Sequence, residues 1–270
     1  MKISPLMSVM QAAARKAAKP LKRDFGEVEN LQTSRKGPGD FVTASDKRVE
    51  DILFTELSKA RPGYGFLGEE REEVIGTDTT HRWIVDPIDG TTNFIHGLPH
   101  FAINIALQRD GAIVAGVTYN PISEEMFWAE KGHGAFVQDL NGLQRRLRVS
   151  TRRDLADSLL VTGWPHMGRP GLKTFLQETE ILAPKVAGLR RTGSAALDLA
   201  YTAAGRFDAY WERDLKIWDI AAGMILIRES GGIVLEPDGG EQVLEHGRIA
   251  VGNEVLLKTL IRTLNPAYAS

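Results

Sequence analysis

The sequence predicts a protein of mixed α and β structure in two halves, an α+β half over residues 1–145 and an α/β half over residues 146–270. Short apolar segments between residues 83 and 138 are separated by turn sequences such as RDG, NPIS and KGHG, a pattern typical of an antiparallel meander. From residue 159 onward, strand-like and helix-like segments alternate, which indicates helices layered on a sheet. The sequence between the halves is not rich in Gly, Ser or Pro, so we expect them to share one compact body.

The first predicted helix begins at Ser4 and Pro5, which suit the N-cap and the first helical position. Pro20 has no amide hydrogen and is therefore expected to kink or break this helix. The apolar residues that recur at helical spacing in this segment are Met7, Met10, Ala14 and Leu21.

Two more segments complete the region before the meander. The polar stretch at residues 31–40, which holds two Gly and one Pro, predicts an exposed, mobile loop. A second helix is expected from about Ser45 to Lys59, because the apolar residues of this segment share one helical face. At the end of the meander, Asn141-Gly142 is a strong signal for a β-hairpin.

The alternation in the C-terminal half predicts a definite order of elements, with several strand-to-helix junctions. Ligands bind at such junctions in sheet-based folds, where the strands end. The predicted strands are 159–163, 188–192, 207–212, 231–236 and 248–253, and the predicted helices are 172–182, 194–204, 217–230 and 253–264.

Composition and charge exclude several classes of protein. Of the 270 residues, 43% are hydrophobic and 25% are charged, which is enough for a substantial core. The formal net charge of −2 gives no global positive field, so no direct DNA binding is expected. The sequence holds no Cys, which excludes disulfides, thiolate catalysis and zinc–thiolate sites. The N-terminus lacks the apolar run of a signal peptide and no segment is long enough to cross a bilayer, so we expect a cytoplasmic protein.

Two carboxylates, Asp86 and Asp89, directly follow the apolar strand at residues 83–85. Gly90 permits a tight turn after them, and the amides of the next residues are expected to open a short helix. Hard carboxylates beside free amides favour a Mg²⁺ site that holds a phosphate. Asp-Pro and Asp-Gly are also common turn dipeptides, so on its own the segment is explained equally well as an exposed turn.

Other junctions supply further acidic or amide-donating residues. Glu69 ends a short apolar run, Glu212 ends a predicted strand, and Asp219 lies in the first turn of a predicted helix, where the helix dipole favours a carboxylate. Gly193 and Ser194 begin another helix and offer free amides. Each has an ordinary structural explanation as surface charge or helix cap, but together they favour a site.

Long motifs in the chain resemble the inositol monophosphatase family, most closely its bacterial extragenic-suppressor branch. The two signature-like segments are WIVDPIDGTTNF at 83–94 and WDIAAGMILIRESGG at 218–232. Segments 42–46, 68–70 and 191–212 also match in order and spacing, so the similarity covers nearly the whole chain. The resemblance implies a layered α-β-α-β-α sandwich, the sugar-phosphatase fold shared with fructose bisphosphatase, and a homodimer.

The resemblance also implies a set of magnesium ligands. Glu69, Asp86 and the backbone carbonyl of Ile88 would hold one Mg²⁺, and Asp86, Asp89 and Asp219 would hold a second. Glu69 would also support a weaker third ion. Two metal ions about 4 Å apart suit the in-line hydrolysis of a phosphate monoester, and Li⁺ is expected to inhibit.

The remaining roles implied by the resemblance concern the substrate and the attacking water. Gly90 and Thr91 would bind phosphate through their amides, and Thr91, paired with Asp46, would orient the water. Ile88, Asp89 and Asp219 would lie against the substrate as well. The residues expected to face its alcohol part are Gly193, Ser194, Ala195 and Glu212.

The expected activity is the Mg²⁺-dependent hydrolysis of inositol 1-phosphate to inositol and phosphate. Glu212 favours a polyol, but the charged neighbours Arg213 and Asp214 leave open a phosphatase of histidinol phosphate, fructose bisphosphate or adenosine bisphosphate. A second alternative is binding to RNA polymerase or a ribosomal transcription complex, with which bacterial members of this branch are associated. Arg190 and Arg191 are the candidate contacts for such a partner.

Overall fold

The computed structural model describes residues 3–27, 33–37, 40–165 and 170–268. The N-terminal region consists of helix α1 (Pro5–Phe25), a two-stranded antiparallel ribbon of β1 (Thr33–Gly37) and β2 (Asp40–Thr43), and helix α2 (Ala44–Ala60). Ser4 caps α1 as predicted, since its Oγ accepts a hydrogen bond from the amide of Met7 at 3.0 Å.

Pro20 does not break the first helix, because α1 continues through Pro20 to Phe25, while a kink at Pro20 stays a prediction. A proline inside a helix costs about 3 kcal/mol. Burial of Met7, Met10 and Leu21 against the sheet contributes about 2 kcal/mol for each side chain, which is more in total than that cost.

The prediction of a loop at residues 31–40 is also wrong where the structure describes that segment. Residues 33–37 form β1 and Asp40 begins β2, with Thr33 paired to Thr43 and Arg35 to Phe41. Residues 31, 32, 38 and 39 lie outside the described residues. The pairing with β2 satisfies the peptide groups of a polar segment that has no apolar periodicity, so a reading of the local pattern misses it.

A seven-stranded sheet follows, with its strands in sequence order. The first pair is parallel and all later pairs are antiparallel, so the predicted meander and the hairpin at Asn141-Gly142 are confirmed. A short helix, α3 (Thr91–Ile95), leaves the end of the second strand. The strands are β3 (Tyr64–Gly68), β4 (Asp78–Asp89), β5 (Ala102–Arg109), β6 (Ala112–Asn120), β7 (Glu125–Glu130), β8 (Gly134–Gln138) and β9 (Gln144–Arg146).

The second sheet has five strands in the order β11-β10-β12-β14-β13. Its strands are β10 (Leu159–Thr162), β11 (Gly188–Arg190), β12 (Ala209–Glu212), β13 (Ile233–Leu235) and β14 (Ile249–Gly252). The helices of this half are α4 (Leu172–Leu182), α5 (Ala195–Ala203), α6 (Ile217–Glu229), α7 (Val243–His246) and α8 (Glu254–Leu264). All predicted strands and helices of the half are confirmed, whereas the one-turn helix α7 carries too short a pattern to be predicted.

Apolar cores lie between the layers and confirm the α-β-α-β-α arrangement. In β4, Trp83 and Val85 face α1 and α2, while Ile84 between them faces the opposite side. There it joins a middle core that contains α5, α6 and one face of the five-stranded sheet. The outer face of that sheet packs on α4 and α8 through residues such as Trp211 and Leu260.

Helix α6 lies between the two sheets and packs against both of them. Its Ile225 shares the middle core with Phe127 of the first sheet and Val251 of the second. The boundary between residues 145 and 146 stays a prediction. Within the described residues, no helix is long and apolar enough to cross a membrane.

Candidate active site

The end of β4 carries the two carboxylates that the sequence singled out. Asp86 and Asp89 are only 2% and 7% exposed, so this segment is not a solvated turn. The β4–β5 pairing is irregular between them, and the amide of Ile88 donates to Oδ1 of Asp86 at 2.9 Å. Gly90 has a φ of +94°, a backbone angle that favours glycine, and α3 begins directly after it, as predicted.

A third carboxylate comes from the first turn of α6. Oxygens of Asp86, Asp89 and Asp219 all lie within 4.8 Å of one another. The amide of Lys216 donates to Oδ2 of Asp219 at 2.7 Å, so this residue also caps its helix. Capping and clustering therefore coexist, and the structural explanation of Asp219 does not compete with a role in the site.

Asn104 of β5 fixes the first turn of α6 against the seven-stranded sheet. Its Nδ2 donates to the carbonyls of Trp218 at 2.7 Å and of Asp219 at 3.2 Å. The hydroxyl of Thr118 on β6 donates to Oδ1 of Asn104 at 2.7 Å, which sets the orientation of the amide. A buried polar network thus places Asp219 opposite Asp86, and nothing in the sequence motifs indicated it.

The electrostatics of the cluster require a counter-charge. Burial raises the pKa of Asp86 well above its ordinary value, and the charges of Glu69, Asp89, Asp219 and Asp46 raise it further. Glu69 lines the same cleft as the cluster. Buried like charges are stable only when they are protonated or neutralised by a cation.

Asp89 is held by the start of α5, which lies in the other half of the chain. Burial raises the pKa of Asp89 to about 7, although hydrogen bonds from Ser194 and Ala196 oppose the increase. The hydroxyl of Ser194 and the amide of Ala196, the latter at 3.0 Å, both donate to Oδ2 of Asp89. Ser194 also caps α5 by accepting from the amide of Leu197 at 3.3 Å.

One cleft brings together nearly all of the predicted site residues. Asp46 is not among the residues that line it and is 1% exposed in the first turn of α2. The hydroxyl of Thr91 donates to the carbonyl of Ile88 at 2.9 Å, so the predicted pairing of Thr91 with Asp46 stays a prediction. The predicted residues that line the cleft are Glu69, Asp86, Ile88, Asp89, Gly90, Thr91, Gly193, Ser194, Ala195, Glu212 and Asp219.

The cleft also contains residues that the sequence motifs did not assign to it. Arg191, considered above as a contact for a protein partner, lines this cleft instead. Its position two residues before Gly193 could have indicated this. Asp198 is a lone acid on the otherwise apolar helix α5, and burial raises its pKa well above the ordinary value. Trp164 follows β10 and also lines the cleft.

The buried Tyr210 orients Glu212 through a hydrogen bond. The hydroxyl of Tyr210 donates to Oε2 of Glu212 at 2.6 Å. Both side chains belong to β12, where residues two apart lie on the same face. The carboxylate is thereby directed into the cleft beside Gly193 and Asp198.

The donor set suits a hard divalent cation. Carboxylate oxygens from the end of β4 and the first turn of α6 converge on one point, and the carbonyl of Ile88 lies beside them in the same cleft. Mg²⁺ binds such oxygen ligands in preference to softer donors. A bound cation would also offset the repulsion that raises the pKa of Asp86.

Comparison with known proteins gives matches along the whole chain. A family model described as the inositol monophosphatase family matches residues 2–268. The inositol-1-monophosphatase of Mesorhizobium japonicum is 56% identical over 261 residues, which cover 97% of this chain and 96% of that protein. The Nus factor SuhB of Escherichia coli strain K12 is 41% identical over 260 residues and covers 96% of each chain.

Solved structures agree with these matches. The extragenic suppressor protein suhB from Bartonella henselae has a TM-score of 0.93 at 54% identity, and the match covers 97% of this chain and 98% of that one. The match extends over the acidic cleft as well as the layers that support it. The fold, the convergent carboxylates and the full-length similarity together establish that the chain belongs to the inositol monophosphatase family and is a metal-dependent phosphatase.

Proposed function

We propose that the protein hydrolyses inositol 1-phosphate to inositol and phosphate in a Mg²⁺-dependent reaction. The observation that carries the proposal is the convergence of Asp86, Asp89 and Asp219 in one cleft with Glu212. The three aspartates provide a place for cations and phosphate, and Glu212 provides an acceptor for the hydroxyl groups of a polyol. The 56% identity to a protein named inositol-1-monophosphatase supports this substrate.

Five residues would hold the metal ions. Glu69, Asp86 and the Ile88 carbonyl would ligate one Mg²⁺. Asp86, Asp89 and Asp219 would ligate a second Mg²⁺. Glu69 would also support a third ion that binds more weakly. Bound magnesium would supply neutralisation of the phosphoryl oxygens, a more acidic water molecule and stabilisation of the leaving alkoxide.

The protein's own groups bind the phosphoryl group and accept the proton of the attacking water. We assign phosphate binding to the amides of Gly90 and Thr91, which follow the carboxylates at the start of α3. Asp46 is the proposed proton acceptor, acting through the hydroxyl of Thr91. Because that hydroxyl now donates to the carbonyl of Ile88, the relay requires Thr91 to exchange this bond for one to Asp46.

In this proposal the alcohol part of the substrate binds to the wall across the cleft from the phosphate-binding amides of Gly90 and Thr91. Ile88, Asp89 and Asp219 contact the substrate from the floor of the cleft. An ionised carboxylate has about four lone-pair sites, so Glu212 accepts from substrate hydroxyls while it also accepts from Tyr210. The segment that completes this wall consists of Gly193, Ser194 and Ala195.

A panel of phosphate esters tests the proposal. Released phosphate is measured for inositol 1-phosphate, histidinol phosphate, fructose bisphosphate and adenosine bisphosphate, each with and without Mg²⁺. We expect the largest kcat/KM for inositol 1-phosphate and no turnover after chelation of the metal. A higher kcat/KM for another ester would identify that ester, rather than inositol 1-phosphate, as the preferred substrate. Full activity in chelator would overturn the metal dependence.

A second candidate function is binding to RNA polymerase or to a ribosomal transcription complex. The observation that favours it is the 41% identity to proteins named Nus factor SuhB. A pull-down with Asp89→Asn separates it from catalysis, because binding should survive the loss of turnover. We also propose that the protein acts in the cytoplasm as a homodimer.

A further inference from the structure

Helix α2 reaches the metal-binding side of the molecule with two acidic residues one turn apart. Asp46 lies in the first turn of α2, and Glu50 follows four residues later on the same helical face. Glu50 is only 1% exposed, and charged side chains are rarely buried this completely unless they are paired. Its partners therefore indicate what it does.

Both oxygens of Glu50 bind the segment that follows β3. The amide of Glu70 donates to Oε2 at 2.8 Å, and Nε of Arg71 donates to Oε1 at 2.9 Å. The residue immediately before this pair is Glu69, a proposed ligand of the metal ions. The buried carboxylate thus fixes the backbone directly beside Glu69.

Arg71 is itself held from two sides. Its guanidinium lies over the ring of Phe54 at 4.0 Å from the ring centroid, and its second terminal nitrogen donates to Asp51 at 2.6 Å. Phe54 meets Phe66 of β3 edge-on at a centroid separation of 5.2 Å. Because a guanidinium donates in a rigid planar fork, the contacts with buried Glu50 and with Phe54 orient the Arg71 side chain, and the exposed bond to Asp51 contributes little.

Gly68 allows this segment to approach Glu50 closely. A Cβ atom at residue 68 would lie 2.3 Å from Oε2 of Glu50 and 2.9 Å from the ring of Phe66. Any larger residue would push the chain away from α2. The close contact shows that the segment is seated on Glu50.

The pairing of β3 with β4 places Glu69, which follows Gly68, beside Asp86. The two strands are parallel, and Gly68 lies opposite Val85. The next residues along the two strands are Glu69 and Asp86, so the two lie side by side where the β3–β4 pairing ends. The charge of Glu69 accordingly acts on Asp86.

We propose that Glu50 and Arg71 are positioning residues that hold the segment Gly68–Arg71 so that the Glu69 carboxylate faces Asp86, which raises the affinity of the site for its divalent cation. This inference rests on the proposed function, in which Glu69 is a metal ligand. Residues behind a metal ligand change metal affinity by about 10- to 100-fold when they are altered. Glu50 fits this role without touching the cation.

The test measures Mn²⁺ binding to the substrate-free, metal-depleted protein by calorimetry. Glu50→Gln keeps the shape but can accept only one of the two hydrogen bonds, and Glu50→Asp keeps the charge but is one methylene too short. Asp51→Asn is the matched control, because Asp51 adjoins Glu50 and binds the same Arg71 with a largely exposed side chain. Glu69→Gln serves as the reference for loss of the ligand itself.

We expect Glu50→Gln and Glu50→Asp each to weaken Mn²⁺ binding by about tenfold, while Asp51→Asn stays within about twofold of the unaltered protein. A positioning role also predicts that the Mg²⁺ concentration for half-maximal turnover rises, whereas kcat at saturating Mg²⁺ is recovered. Circular dichroism and thermal unfolding without metal establish that each variant is folded. If Glu50→Gln fails to fold, Arg71→Lys removes the planar fork with retention of charge, and the same loss of affinity is expected.

The inference is overturned if Glu50→Gln and Glu50→Asp bind Mn²⁺ as the unaltered protein does while Glu69→Gln loses binding. It is also overturned if Glu50→Asp binds normally and Glu50→Gln does not, because charge rather than position would then be responsible. Normal binding by Glu69→Gln is a separate outcome that removes Glu69 from the proposed metal site. The two failures are therefore distinguishable.

Discussion

The hydroxyl of Ser194 donates a hydrogen bond to the carboxylate of Asp89 across a sequence separation of 105 residues. Asp89 ends a strand of the first sheet, and Ser194 caps α5 on the side of the second. The bond therefore links the end of β4 to the start of α5 within the cleft. It also makes the geometry of a proposed metal ligand depend on a helix cap.

The first prediction concerns Asp89→Asn, which should leave the fold intact and nearly abolish turnover. The substitution removes a charged ligand that the proposed function assigns to a Mg²⁺ ion. A loss of ~4 kcal/mol of transition-state stabilisation corresponds to a roughly 1,000-fold lower kcat. The assay is phosphate release at saturating Mg²⁺, with exposed Asp51→Asn as the charge-matched control. Retained activity in a folded Asp89→Asn protein would remove this residue from the metal site.

The second prediction concerns stability. Ser194→Ala removes both the cap of α5 and the bond to Asp89, so the free energy of unfolding should fall by about 2 kcal/mol. Ser8→Ala is the control, because Ser8 is exposed and its hydroxyl donates to the carbonyl of the N-cap residue Ser4, one turn earlier. Denaturant unfolding in Mg²⁺-free buffer gives both values. Equal midpoints for the two variants would contradict the structural role of Ser194.

The fold was largely accessible from sequence because its elements carry their own patterns. Helix α4 and the five strands of the second sheet have the predicted positions, since apolar periodicity there coincides with burial. The β1–β2 ribbon and the continuity of α1 through Pro20 depend on partners distant in sequence. Such partners leave no local pattern.

The candidate site likewise contains residues that the sequence motifs predict and residues that they do not. Asp86, Asp89 and Asp219 lie in recognisable motifs, and the structure brings them together. Asn104 and Glu50 support the site from outside these motifs. Glu50 binds residues that lie 20 and 21 positions further along the chain, and its spacing on α2 does not reveal this.

The third prediction is a pH dependence of the metal-free protein. The folded-state pKa of Asp89 is raised to about 7 from an ordinary value of 3.8, mainly by burial. The folded state therefore binds more protons than the unfolded state between these values, and stability should fall as the pH rises from about 4 to about 7. Asp86 acts in the same direction because its pKa is also raised.

Thermal unfolding with chelator and with Mg²⁺ at several pH values checks this dependence. We expect Mg²⁺ to stabilise the protein much more at pH 8 than at pH 5, because the cation must displace protons from the carboxylates. Metal binding at pH 6 should accordingly release protons into the buffer, which calorimetry in buffers of different ionisation enthalpy detects. Equal Mg²⁺ stabilisation at pH 5 and pH 8 would contradict the raised pKa values.

The fourth prediction is inhibition by Li⁺, which the resemblance to the family implies. Li⁺ is a small, hard cation that suits carboxylate oxygens but carries only half the charge of Mg²⁺. A site occupied by Li⁺ would neutralise the phosphoryl group less well. Turnover of inositol 1-phosphate is measured with millimolar Li⁺ at fixed Mg²⁺ and with K⁺ as the control salt. Comparable rates in both salts would argue against the proposed metal arrangement.

The last prediction concerns substrate choice through Tyr210. Its buried hydroxyl donates to Glu212 at 2.6 Å, and burial raises its pKa well above the ordinary value, so it remains a donor throughout the working pH range. Tyr210→Phe removes this bond with little change of shape and leaves the Glu212 carboxylate less well oriented. A hydrogen bond to a charged group contributes about 1.5 kcal/mol, so KM for inositol 1-phosphate should rise about tenfold with a nearly unchanged kcat.

Two controls isolate the effect on the polyol. The kinetic constants for p-nitrophenyl phosphate should be unaffected, because this ester has no hydroxyl groups for Glu212 to bind. Tyr201→Phe should change neither substrate's constants, because Tyr201 lies on α5 against Phe127 and Arg206. If Tyr210→Phe slowed both esters equally, Tyr210 would support the fold of β12 rather than the orientation of Glu212. A rise in KM confined to inositol 1-phosphate would place polyol recognition at Glu212.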